Sequence, residues 1–223
     1  GTLERYVPVD VTEHMVRDCA LSLTEEYPGL EVYGVIGDLE RHLDRVPEAV
    51  GPRLVVFLGG TIGNFAPEHR ARVLGEIAAL LGPDDHLLLG TDLVKDRETL
   101  EAAYDDAEGV TAEFNRNVLR VLNRELDADF DPEDFDHVAV FDPEHEWIEM
   151  RLRARREHTT LVRELGLPVH FAAGEELRTE ISAKFTPERV RADLAGAGLE
   201  LVRWLTDPDA LFALTLSRPA RED

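Results

Sequence analysis

The chain has 223 residues, enough for one large α/β domain or a domain carrying an insertion, and its 43% hydrophobic content can fill a sizeable core. Lys and Arg number 24 against 46 Asp and Glu, a formal net charge of −22. No basic footprint for phosphate stands out, which argues against a nucleic-acid partner and against an acidic membrane surface.

The single cysteine, Cys19, forms no internal disulfide, and no Cys/His cluster has zinc spacing, so no metal is expected. A reducing, cytoplasmic setting fits. No apolar run reaches membrane-spanning length and no signal peptide opens the chain. Gly1 in place of Met reads as the start of a segment within a longer product or as a tag remnant.

In chain order, RYVPV (Arg5–Val9) reads as a short strand ending at Asp10. Val11–Glu26 carries a helical apolar pattern with Thr12 as N-cap, broken by Tyr27-Pro28-Gly29. A second strand covers Glu31–Ile36 and ends at Gly37-Asp38, and a short helix covers Leu39–Val46. The continuous apolar run Leu54–Leu58 suits the buried middle of a parallel sheet. A helix at Pro67–Leu81 starts with proline, and His86–Leu89 is a further strand ending at Gly90-Thr91-Asp92. Four strand–helix alternations argue an α/β fold with a doubly wound, mostly parallel sheet. Asp10, Asp38, Gly59–Asn64 and Asp92 then sit at the carboxyl ends of strands, where such sheets bind ligands.

The pattern then changes. Lys95–Arg124 is long and helical. Phe135–Phe141, Trp147–Arg155 and Val169–Ala172 alternate polar and apolar residues, as antiparallel strands with one solvated face do. Residues 95–182 thus read as an inserted α+β subdomain, with 1–94 and 183–223 forming the core. The last segment returns to type, with a helix at Pro187–Ala197, a strand near Glu200–Trp204 and another at Ala210–Leu216.

The stretch VVFLGGTIGNF (Val55–Phe65) runs from a strand into a glycine loop. A P-loop needs Lys-Ser/Thr after its second glycine, and Asn64-Phe65 stands there instead; G-x-G-x-x-G is absent too. Phosphate is therefore not the natural guest. The glycines allow close approach to the backbone, and Asn64, with a donor and an acceptor, can hold an amine and a carboxylate together. A tight turn with Asn64 capping the next helix fits the bare motif as well. Asp10 and Asp38 suit ribose hydroxyls and an adenine amine, or equally acids at helix N-termini. Tyr104, Asp105 and Asp106 in YDDAEG read as a solvated helix face. Glu180 and Ser182 share one strand face by period two, which suits either a small polar ring or plain surface.

The combination goes further than its parts. VVFLGGTIGNF, LLLGTDLVKD (Leu87–Asp96), AYDDAEGVTAEFNRNVL (Ala103–Leu119), NRELDADFD (Asn123–Asp131), IEMRLRA (Ile148–Ala154) and FAAGEELRTEISAKF (Phe171–Phe185) resemble the histidine-specific S-adenosylmethionine-dependent methyltransferases of ergothioneine biosynthesis. The resemblance runs in order from Arg5 to about Ser217. It implies a class I, Rossmann-like methyltransferase core with a substrate-binding insertion, three methyl transfers to the α-amine of L-histidine, and hercynine as product. It implies S-adenosylmethionine held by Asp10 at the ribose and by Asp38 and Leu39 at the adenine. Gly59 and Asn64 would meet the amine and carboxylate of histidine, Tyr104 would hold the carboxylate side, and Thr111, Phe114 and Met150 would wall the pocket. Glu180 and Ser182 would bind the imidazole. No residue acts covalently in this scheme; the site works by orientation.

The family's first core strand, its glycine-rich loop and the following helix have no counterpart in these residues. The expectation is a fragment whose sheet is completed by an N-terminal segment or a second chain, and which alone binds cofactor weakly with little activity. Two other readings stand beside the enzyme: a non-catalytic amino-acid-binding or protein-pairing module, and a methyltransferase for a different amino acid. A nicotinamide-dependent dehydrogenase is disfavoured by the absent G-x-G-x-x-G.

Overall fold

Residues 3–221 are described by a computed structural model. The first expected strand is present but broken: β1 (Arg5–Tyr6) and β2 (Val9–Asp10) flank Pro8, which has no N–H to give a ladder. α1 (Glu13–Glu26) follows Thr12, whose side chain caps nothing; Asp10 Oδ1 instead accepts the Thr12 N–H at 2.8 Å. β3 (Glu31–Val32) and β4 (Val35–Ile36) replace the single expected strand. They run parallel to β1 and β2, with Arg5 opposite Glu31 and Val9 opposite Val35.

The helix expected over Leu39–Val46 is reduced to one 3-10 turn at Leu43–Arg45. Side chains compete with the helical ladder here: Asp38 Oδ1 accepts from Glu40 N at 2.9 Å, and His42 Nδ1 accepts from Asp38 N at 2.9 Å.

β5 (Leu54–Phe57) pairs parallel with β6 (His86–Asp92), Leu54 opposite His86. The sequence suggests a strand buried on both faces. Among the described residues β5 pairs along one edge only, and its outer residues Leu54 and Val56 are half exposed. Val55 and Phe57 face the core. α2 (Pro67–Ala79) starts on its proline and packs Val73, Leu74 and Ile77 inward.

The long helical stretch divides into α3 (Arg97–Tyr104) and α4 (Val110–Leu126). Asp96 caps the start of α3, and Asp106 with Gly109 makes the break between the two helices. Asp96 Oδ1 accepts from Thr99 N at 2.8 Å, and Asp106 accepts from Val110 N at 2.9 Å and Thr111 N at 2.7 Å. Gly109 takes a left-handed φ of 72° that a side chain would strain. The hydrogen bonds from Thr111 and Val110 hold the Asp106 carboxyl down to about 2, as a carboxylate gathering backbone donors should be.

Five antiparallel strands follow: β7 (Phe135–Asp142), β8 (Trp147–Ala154), β9 (His158–Val162), β10 (Leu167–Phe171) and β11 (Glu176–Ala183). β8 lies between β7 and β11, and β9 with β10 forms a separate hairpin. α5 (Pro187–Gly196) is capped by Thr186, and β12 (Leu199–Thr206) and β13 (Phe212–Pro219) end the fold. β13 lies between β6 and β12 and runs antiparallel to both, so the sheet order is β5-β6-β13-β12.

Two apolar centres hold these parts. Leu43, Val73, Leu74, Ile77, Leu87 and Leu194 pack between α2, α5 and the larger sheet. Leu119, Phe130, Phe135, Leu152 and Phe171 pack beneath α4, with the Phe135 and Phe171 rings edge-to-face at 5.2 Å. No helix among the described residues is long and apolar enough to cross a membrane.

Candidate functional site

A cavity of about 340 Å³ opens where the glycine loop after β5, the ends of α3, β6 and β11, and the start of β13 meet. Gly59, Gly60, Asn64, Asp92, Tyr104, Glu180, Ser182 and Phe212 line it. Gly59 and Gly60 both take left-handed φ values, 79° and 71°, which turn the chain sharply out of β5. The loop then forms a 3-10 turn, Thr61–Asn64. Asn64 does not cap α2, whose N-cap position is Ala66 with no side-chain bond. Among the described residues its side-chain amide makes no hydrogen bond, and it lines the cavity.

The polar floor is built from distant parts of the chain. Tyr104 Oη and Ser182 Oγ lie 2.8 Å apart. Lys184 Nζ stands 2.8 Å from Tyr104 Oη and 2.9 Å from Ser182 Oγ. Asp92 Oδ2 accepts Lys184 at 2.9 Å, and Asp92 Oδ1 pairs with Lys95. Burial pushes the Asp92 carboxyl up, but the hydrogen bonds from Lys95 and Lys184 outweigh it and hold Asp92 below the usual carboxylate range.

Glu180 is the opposite case. It is half-buried and has no hydrogen bond or ion pair among the described residues. Burial raises its carboxyl above the ordinary value, and the nearby charge of Lys184 offsets only part of this. A β-bulge between Arg178 and Glu180 sets its direction: Thr179 steps out of the ladder and Glu180 falls opposite Met150. Thr179 Oγ1 holds the bulge through Asn115 Oδ1 at 2.5 Å.

Of the residues that the family resemblance nominates for substrate, Gly59, Asn64, Tyr104, Glu180 and Ser182 therefore share one cavity. Thr111, Phe114 and Met150 stand off its wall. Thr111 is in the first turn of α4, with its N–H on Asp106. Phe114 is 65% exposed and aligned with exposed Val110 and Val118 on one helix face. Met150 is buried with Leu100 and Ile148. Asp10 and Asp38 sit at the ends of the paired strands β2 and β4, joined by a Gly37 N–H to Asp10 O bond of 2.9 Å, and do not line the cavity. Each gives one carboxylate oxygen to its own loop, to Thr12 N and Glu40 N. Leu39 packs against the main core.

Sequence reasoning places Gly60 and Asp92 at ligand-binding strand ends without giving them a role, and does not select Lys184 or Phe212 for the site. Phe212 has a readable signal in retrospect, because Gly90 is the residue that makes room for it: a Cβ there would meet the Phe212 ring at 3.0 Å.

The sequence profile of the family described as "Histidine-specific methyltransferase, SAM-dependent" matches residues 1–219. The chain is 54% identical over 215 residues to the "Histidine N-alpha-methyltransferase" of Mycolicibacterium smegmatis, a match that covers 96% of this chain and 67% of that protein. It is 31% identical over 146 residues to "Ergothioneine biosynthesis protein 1" of Schizosaccharomyces pombe, covering 63% of this chain and 19% of the relative. Among solved structures, an S-adenosylmethionine-dependent methyltransferase from Clostridium acetobutylicum superposes with a TM-score of 0.50 at 9% identity, over 96% of this chain and 75% of that one. That likeness speaks to the fold, a class I methyltransferase core. With the profile matching nearly the whole sequence and the cavity standing at the carboxyl ends of β5 and β6, the chain belongs to the histidine-specific, S-adenosylmethionine-dependent methyltransferases.

Proposed function

We propose that the chain methylates the α-amine of L-histidine in ergothioneine biosynthesis, by three successive transfers that give hercynine. The observation that carries this is the convergence of Asn64, Tyr104, Glu180 and Ser182 on one polar cavity. The name and 54% identity of the mycolicibacterial relative, and the name of the fission-yeast one, support it.

S-adenosylmethionine supplies an electrophilic methyl group on sulfur. Asp10 would hold its ribose, and Asp38 and Leu39 its adenine. The residues fit this role chemically: each carboxylate accepts from its own loop through one oxygen, and the second oxygen, which in Asp38 has the exposed Arg41 guanidinium 3.9 Å away, can accept from a ligand hydroxyl or amine. Residues 1–94 and 183–223 would form the donor-binding core, and 95–182 the substrate-binding part.

The remaining work is positioning. A neutral amine attacks in line, so the protein contributes orientation rather than a covalent intermediate. The Asn64 amide offers an acceptor to the amine and a donor to the carboxylate. Backbone at Gly59, free of a side chain, lets the head group approach closely. Tyr104 would hold the carboxylate side. Glu180, raised by burial and without a hydrogen-bond partner among the described residues, is an acceptor suited to a ring N–H, and Ser182 lines the same cavity. An analogue lacking the ring N–H would leave that half-buried carboxyl unpaired, which is the strong form of selectivity.

The test is a methyl-transfer assay on the full-length native protein, read by mass spectrometry, with S-adenosylmethionine and each of the common amino acids. Mono-, di- and trimethylated histidine is the expected series. Methylation of another amino acid in preference would overturn the substrate, and binding of an amino acid with no transfer would favour the non-catalytic module.

A further inference from the structure

We propose that Lys184 is the positioning residue of the substrate cavity: its buried ammonium, balanced by Asp92, orders the hydroxyl protons of Tyr104 and Ser182 so that a single O–H donor is presented to the bound amino acid. This rests on the histidine reading above.

Lys184 is fully buried, 0% exposed, and lies behind the cavity wall rather than in it. A buried ammonium is tolerated only when its charge and its donors are met. Here they are met one for one. Three N–H groups face three acceptors: Tyr104 Oη at 2.8 Å, Ser182 Oγ at 2.9 Å and Asp92 Oδ2 at 2.9 Å.

The proton count then follows from chemistry. Lysine has no lone pair to offer, so both hydroxyl oxygens must accept from it. The two oxygens are 2.8 Å apart, so one hydroxyl also donates to the other. Two hydroxyls carry two protons. One is consumed between them; the other has no acceptor within the triangle and turns toward the cavity. If Tyr104 donates to Ser182, the serine proton is presented, and the reverse holds otherwise. Either way the ligand meets one pre-set donor, polarised by a cation behind it, next to the unpartnered carboxyl of Glu180.

An apolar side chain at position 184 would free both oxygens. The hydroxyls could then pair with each other in either sense, or one could turn to Glu180 and occupy the acceptor meant for the ligand. Affinity for the amino acid should fall, while the methyl donor, which this triangle does not touch, should bind as before.

The test uses the full native chain with Lys184→Met, Tyr104→Phe, Ser182→Ala and their combinations. Calorimetric titrations would measure L-histidine and S-adenosylhomocysteine separately. Lys184→Met should weaken histidine at least tenfold and leave S-adenosylhomocysteine within twofold. In the Tyr104→Phe/Ser182→Ala background, the same Lys184→Met change should alter histidine affinity less than twofold, because no hydroxyl is left to order. The same fold-loss with and without the hydroxyls, or unchanged histidine affinity in Lys184→Met, overturns the proposal. If Lys184→Met does not fold, the cycle between Tyr104→Phe and Ser182→Ala decides: coupling of fivefold or more is expected, and additive effects overturn it. A wild-type chain that binds S-adenosylhomocysteine but not histidine overturns the substrate reading, and this proposal with it.

Discussion

Gly63 lies directly against the backbone of Ala183. A Cβ at Gly63 would stand 2.7 Å from the Ala183 carbonyl oxygen and 3.3 Å from its nitrogen. The contact fastens the glycine loop to the last residue of β11, and so fixes Asn64 relative to Ser182 across the cavity. Backbone cannot swing aside as a side-chain tip can. Gly63→Ala should therefore destabilise the fold by about 1–3 kcal/mol, the usual range for overpacking. It should also weaken histidine more than S-adenosylhomocysteine. Urea unfolding and paired titrations check both; an unchanged midpoint would show that loop and strand part freely.

Asn115 joins α4 to the smaller sheet from a buried position, 3% exposed. Its Nδ2 donates to His137 Nδ1 at 2.9 Å and to Arg151 O at 3.0 Å, and its Oδ1 accepts from Thr179. With Nδ1 accepting, His137 carries its proton on Nε2, which donates to Tyr104 O at 2.7 Å. The network thus anchors both the bulge before Glu180 and the end of α3 that bears Tyr104. Asn115→Ala strips the Arg151 carbonyl and the Thr179 hydroxyl of a partner and leaves a void. The expected loss is about 2–4 kcal/mol, with a raised KM for histidine. Thermal unfolding together with steady-state kinetics tests this, and a stable variant with ordinary KM would remove Asn115 from the account.

Arg70 on α2 reaches Asp193 on α5 at 2.8 Å and lies over the Phe185 ring, 5.2 Å from its centroid. The guanidinium side chain is 3% exposed, while Asp193 keeps 27%. Removing the acid alone should be the more harmful change, since it leaves a buried cation unpaired. Asp193→Ala should destabilise by about 3 kcal/mol, the low end for breaking a buried pair because water reaches the acid side. The double variant Arg70→Met/Asp193→Leu should return to within about 1 kcal/mol of wild type. Urea midpoints of the single and double variants decide the matter; a double variant as weak as the single one would mean that the pair carries packing rather than charge.

What the sequence could reveal tracks the range of the interactions. Local chemistry was readable. The run from Val55 into Gly59-Gly60 is a strand and a turn, and the period-two spacing of Glu180 and Ser182 does put both on the cavity. Continued by one more step, that period reaches Lys184, but a lysine after a strand reads as surface until Asp92 and Tyr104 are brought to it by the fold. The split at Asp105–Gly109 was also hidden, because Asp106 looks like a solvated acid and only the structure reveals it as the cap of α4. Leu54–Leu58 misled for the opposite reason: an all-apolar run does not say which residues find neighbours, and Leu54 and Val56 find few. Thr111, Phe114 and Met150 rest on the family resemblance alone: Thr111 and Phe114 lie on the first turns of α4 and Met150 packs with Leu100 and Ile148, and no local pattern in the sequence points to them.

Glu180 sets function against stability. Its carboxyl lies above the ordinary value of 4.5, because burial disfavours the charge and Lys184 offsets only part of that. The folded state therefore holds this proton more tightly than the unfolded state. The associated stability is fully present below the unfolded value and is lost as pH rises through the raised folded value. At neutral pH the ionised group works against the fold. Glu180→Gln keeps the shape and removes the charge, so it should melt higher than wild type at neutral pH. The gap should close as acid protonates the wild-type residue. The same variant loses a charged acceptor for the imidazole N–H, worth about 1.5–3 kcal/mol, and should bind histidine roughly ten- to a hundred-fold more weakly. S-adenosylhomocysteine should be unaffected. Melting curves across the acid-to-neutral range and titrations of both ligands measure the two halves independently. Equal losses for histidine and S-adenosylhomocysteine would take Glu180 out of the imidazole site, and a melting gap that does not change with pH would mean that its charge plays no part in stability.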